Sequence, residues 1–130
     1  MKWKVIRLEL ASSWQFPRGS AGRSYLVRLP LTDEGAIDRE ALESQPVRAT
    51  VRRYWPNEAD MVGHLVHTPM GYAIQYEMNG SARLNGHSGV NGHSETRLFQ
   101  FGADAIRLGE EIFLTEPDGH QVRYRIANLV

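Results

Sequence analysis

The sequence contains no cysteine. That excludes disulfides, thiolate nucleophiles and cysteine-ligated zinc, and it leaves the redox compartment unread. Lysine is nearly missing as well: Lys2 and Lys4 are the only two, and the other thirteen of the fifteen basic residues are arginine. Neither sign of charge is in excess, since fifteen acidic residues balance the bases. A nucleic-acid binder draws most of its affinity from neutralising phosphates and normally shows a basic surplus, so this balance argues against that role. No apolar run approaches the roughly 18 residues of a membrane-spanning helix. Behind the charged start Met1-Lys2-Trp3-Lys4, Arg7 and Glu9 interrupt any signal-like core, which predicts no signal peptide, no membrane contact and a cytoplasmic location. The phosphate-cradling glycine loops and the Gly-x-Ser-x-Gly elbow are also absent.

What is present is alternation. The chain has 130 residues, of which 42% are hydrophobic, enough to fill one core without metal or disulfide. Ile6, Leu8 and Leu10 alternate with Arg7 and Glu9, predicting a half-buried strand over 3–11. A loop over 12–22 follows, and then Tyr25, Val27, Leu29 and Leu31 share the face of a second strand that Pro30 ends or places at an edge. Asp38 caps the one plausible helix, 39–44, which Pro46 stops; a single short helix suits a lid or plug on an all-β fold. Further strands are predicted over 47–55, 60–67, 72–78, 96–101, 110–116 and 120–129, with Asn79-Gly80 and Pro117-Asp118-Gly119 as turns. Gly63, His64 and His67 weaken the strand over 60–67. The expectation is an all-β, closed or nearly closed antiparallel barrel, or a compact sandwich, of about eight strands with one short helix, built as one domain over 1–130. Residues 81–95, Gly/His/Ser-rich with Asn-Gly-His-Ser twice, read as a flexible loop.

The ending Leu108-Gly109-Glu110-Glu111-Ile112-Phe113-Leu114, with Asp118-Gly119 and Tyr124-Arg125-Ile126, is similar to a hairpin that recurs in small barrels, among them the sortase type. Sortase chemistry needs a cysteine, so only geometry carries over. More broadly the chain resembles a family of small bacterial β-rich proteins of unknown function, a resemblance that implies a fold and no activity.

Candidate chemistry is sparse. His64 and His67, three apart on a strand, point to opposite faces and make a poor ligand pair. His87 and His93 could approach a metal with Glu95 or His120, but real sites sit on rigid elements, and the reading is exposed loop histidines and no metal. An acid–base enzyme, a hydrolase or isomerase, would need His64 or His67 to meet Glu77, Glu110 or Glu111, with Asp104 as a further carboxylate. Arg48, Thr50 and Arg52 are predicted on one strand face that runs into Arg53-Tyr54-Trp55. Arginines interleaved with aromatics suit a single-strand nucleic-acid face, yet the charge balance points to other partners. Most aromatics read as core; Trp14 and Phe16, placed in a loop, either plug a barrel end or touch a partner. The leading expectation is a non-catalytic module, without cofactor, that binds a protein or small anionic ligand through Arg48, Arg52, Tyr54 and Trp55 or at a barrel mouth. The acid–base enzyme and a homo-oligomeric structural protein are the alternatives.

Overall fold

A computed structural model describes residues 1–13, 15–76, 98–102 (backbone only), 105–115 and 120–130. Eight antiparallel strands follow one another around a closed barrel. They are β1 (Lys2–Ser12), β2 (Ser20–Leu31), β3 (Thr50–Tyr54), β4 (Met61–Thr68), β5 (Gly71–Tyr76), β6 (Leu98–Gly102), β7 (Glu111–Thr115) and β8 (Gln121–Leu129). Each strand pairs with its neighbour in sequence, and β1 closes the ring on β8 from Ile6↔Leu129 to Ser12↔Arg123. This closure resolves the all-β expectation as a barrel rather than a sandwich. Register shifts in β1 between Glu9 and Leu10 and on either side of Leu8–Leu10 bend the strand as closure requires.

Period-2 alternation sets the inside. Ile6, Leu8 and Leu10 of β1, Tyr25, Val27, Leu29 and Leu31 of β2, and Val122, Tyr124 and Ile126 of β8 are buried, as are Leu65, Ile74, Ile112 and Leu114. Each such aliphatic side chain contributes about 2 kcal/mol on burial. An eight-stranded barrel is just wide enough to be filled by these side chains. Tyr25 and Tyr124 meet edge to face, centroids 5.1 Å apart. Gly63 faces Tyr76 across β4 and β5, where an added Cβ would lie 2.4 Å from the Gln75 carbonyl oxygen. The glycine that weakens the sequence pattern of this strand is therefore what lets the two backbones approach.

Helix α1 (Arg39–Ser44) matches the predicted segment, with Asp38 Oδ1 accepting from Ala41 N at 3.0 Å. Its Leu42 is buried in the core cluster, and the helix rests against β2 and β4. The predicted strand over 47–55 is corrected: Pro46–Arg48 form a 3-10 turn and β3 begins only at Thr50. Pro46 opens that turn because its ring fixes a helical φ, and Val47 is left 75% exposed rather than inward. β2 also starts earlier than expected, at Ser20. Pro30 lies as expected where β2 finishes, one residue before its end at Leu31 and beyond the last β3 partner, Val27; its carbonyl accepts from Asp38 N. The loop at 81–95 and the turns at 79–80 and 117–119 lie outside the described residues.

Candidate functional site at the two barrel mouths

The strand ends define two mouths. One gathers the end of β1, the start of β2, the end of β3 and the start of β4; the other holds the start of β1, the end of β2, α1 and the end of β8. At both, inward-facing series that are apolar in mid-barrel finish in cations. β1 reads Lys2, Lys4, Ile6, Leu8, Leu10 along one face; β2 reads Arg23, Tyr25, Val27; β3 reads Val51, Arg53.

At the first mouth the cations are stacked and paired. The Arg23 guanidinium lies 3.9 Å from the centroid of Phe16 and 5.2 Å from that of Trp55. Arg53 covers Trp55 at 4.0 Å, donates to Glu58 Oε1 at 3.0 Å and reaches Met61 Sδ at 3.4 Å. Its side chain is only 12% exposed. Burial works against its charge, but Tyr25, Glu58 and Tyr76 outweigh that and hold the guanidinium above its ordinary value. Burial also pushes the Tyr76 phenol far above the usual range, with Tyr25 adding to the rise. Such a stack is worth about 0.5–2 kcal/mol per cation–π contact, and the ring faces it uses are no longer open to a ligand.

The four predicted binding residues do not form one face. Arg48 belongs to the 3-10 turn, hydrogen-bonds Gln45 Oε1 at 2.9 Å and covers Trp3 at 4.6 Å, placing it at the second mouth. Trp55 belongs to the first. Arg52 projects outward and exposed between Leu26 and Val62, and Tyr54 is half-buried beside Ser24. Phe16 does pack at a barrel end, under Arg23, whereas Trp14 lies outside the described residues. Phe113, an exception to the reading of most aromatics as core, faces out beneath Arg123, at 5.3 Å.

The acid–base constellation also assembles differently. His67 Nδ1 lies 3.6 Å from Glu43 Oε2 on α1, not from Glu110 or Glu111, and its ring meets Tyr72 edge on at 5.2 Å. Glu43 also accepts from Arg39 Nε at 3.4 Å. Burial raises the Tyr72 phenol; nearby Arg39 opposes the rise, and Glu43 and Asp38 add to it. Glu111 faces outward from β7 and pairs with Arg123 at 3.3 Å; it is one rung of an outer charge ladder with Arg125, Glu9 and Arg7. Glu110 is exposed before β7, and its carbonyl accepts from Ile126 N. His64 faces outward between Thr50 and Gln75, and His120 is exposed. Glu77, His87, His93, Glu95 and Asp104 lie outside the described residues. Among the described residues, no three His, Asp or Glu side chains converge as a metal site, and no helix is long and apolar enough to cross a membrane.

The second mouth is open on the side away from His67. There a depression of ≈ 400 Å³ is walled by the start of β1, the turn Thr32–Gly35 and the segment carrying Ile106 and Arg107. Partly exposed Leu129 and the nearly buried Leu31 and Ile106 lie at its wall, and Lys2, Lys4 and Arg107 supply positive charge. Gly35, at φ +86°, anchors the turn, its carbonyl accepting from Ile106 N at 2.8 Å. None of the three cations makes an ion pair among the described residues, in contrast to Arg53. Sequence reasoning missed this group, although the shared parity of Lys2 and Lys4 with Ile6 was readable.

Compared with protein-family models, with curated proteins and with solved structures, the chain finds no match in any of the three.

Proposed function

We propose that the protein is a non-catalytic binding module for a small organic anion with an apolar body, held in the depression of the second mouth. The observation that carries this reading is the set Lys2, Lys4 and Arg107, cations without an ion pair among the described residues, on the rim of a concavity that Leu129 also lines. Its volume falls within the range of small-molecule sites, which combine apolar lining with a few placed polar groups. A carboxylate gains charge-assisted hydrogen bonds from the cations while its hydrocarbon lies against Leu129 and the aliphatic stems of the lysines.

Titration calorimetry with hexanoate tests the reading. Wild-type protein binds it, and the double variant Lys4→Ala/Arg107→Ala binds about tenfold more weakly, as expected when two solvent-facing charge contacts are lost. Absence of binding, or affinity unchanged in the double variant, refutes the assignment.

A further inference from the structure

The same depression carries a second, opposite set of charges. Asp33 and Glu34, both exposed on the Thr32–Gly35 turn, line it together with Lys2, Lys4 and Arg107. Five charged side chains thus share one concavity, and none of them neutralises another through an ion pair. Elsewhere on the molecule Arg7 pairs with Glu9, Arg39 with Glu43, Arg53 with Glu58 and Arg123 with Glu111.

Resting on the anion-binding reading, we infer that the ligand is a zwitterion whose carboxylate and ammonium are separated by an apolar segment, an ω-amino acid or the ends of a short peptide. A simple anion placed on the cations would lie close to two unneutralised carboxylates and feel their repulsion. A simple cation would face one positive charge more than it has negative partners. A molecule bearing both charges satisfies the two sets at once, and its hydrocarbon segment lies on the apolar surface between them. Gly35 holds the acidic turn against Ile106, so both carboxylates are presented from a fixed wall. Specificity of this kind comes from penalties against the wrong ligand as much as from attraction to the right one.

Calorimetric titrations with 6-aminohexanoate, hexanoate and hexylammonium decide the point. The expected order places 6-aminohexanoate about threefold to fivefold tighter than hexanoate, the gain available from one exposed ion pair, with hexylammonium weakest. In Asp33→Asn/Glu34→Gln that advantage disappears while hexanoate is still bound; the unfolding midpoint of this exposed-turn variant is measured alongside. Hexanoate bound as tightly as 6-aminohexanoate, or an advantage that survives in the double variant, overturns the inference and leaves the anion reading standing. Failure of the wild type to bind either carboxylate overturns both.

Discussion

The two mouths of the barrel are built from the same device, inward-facing strand positions that turn cationic where the barrel opens, and they use it in opposite ways. At the first mouth Arg23 and Arg53 are laid on Phe16 and Trp55, and Glu58 and Met61 close around Arg53. At the second, Lys2, Lys4 and Arg107 stand around a depression with no ion-pair partner among the described residues. A stacked and paired cation has spent its interaction energy inside the molecule and acts as packing. An unpaired one on a concave rim keeps that energy for something else. Residue type accounts for part of the division: the guanidinium groups of Arg23 and Arg53 stack on aromatic rings, which the ammonium groups of Lys2 and Lys4 do less well, while Arg107 stands with the lysines.

The sharpest way to break the first mouth is at Gly63. A methyl group there would lie 2.4 Å from the Gln75 carbonyl oxygen and 2.8 Å from Tyr76 Cα, both backbone atoms that cannot swing aside. Gly63→Ala is expected to lose about 3 kcal/mol, the upper part of the range for overpacking, read as a lower urea midpoint. Next in size is Trp55→Ala. It removes the ring between Arg23 and Arg53, two cation–π contacts and part of the mouth's apolar cover, for a loss of about 2 kcal/mol. A change below about 0.5 kcal/mol in chemical denaturation would show that this stack is not structural.

Alkaline pH probes the same end with a smaller effect. Tyr76 is buried, and its folded pKa lies above the unfolded value of about 10. The stability it supplies is therefore fully present below pH 10 and is lost as pH rises beyond that, by about 1.4 kcal/mol per pH unit, while the unfolded chain releases the proton and the folded one keeps it. Between pH 9 and 11 this group should lower stability by about 1.4 kcal/mol in total, a contribution that is missing in Tyr76→Phe. An unaltered slope in that variant would place the titration elsewhere.

Much of this architecture was legible where one strand face meets the core and the other meets water. Residues 5–10, 72–76 and 121–129 alternate cleanly, and the cap at Asp38 with the stop at Pro46 located α1 to the residue. Alternation misled at Val47-Arg48-Ala49, where a period of two continues through a segment that Pro46 turns into a 3-10 helix. The sites were harder to read because charge was assigned to the outer face by default. Arg23, Arg53, Lys2 and Lys4 all share parity with buried residues, but whether an inward cation sits in mid-barrel or at a mouth depends on register, which appears only when strands pair. The His67–Glu43 contact was hidden for the same reason: it joins a strand end to a helix through folding alone.

The smallest stability effect is expected at the second mouth, and its smallness sharpens the comparison. Lys4→Ala removes a cation with no ion pair among the described residues; the repulsion from Lys2 and Arg107 that it relieves is offset by lost attraction to Asp33 and Glu34 in the same depression. The unfolding free energy should move by less than about 0.5 kcal/mol, in either direction. Hexanoate affinity should nevertheless fall in the same variant. Stability held while binding drops would mark Lys4 as a residue kept for a ligand, as Trp55 is kept for the fold. A loss of 2 kcal/mol on Lys4→Ala would instead make both mouths structural, and the contrast between them would disappear.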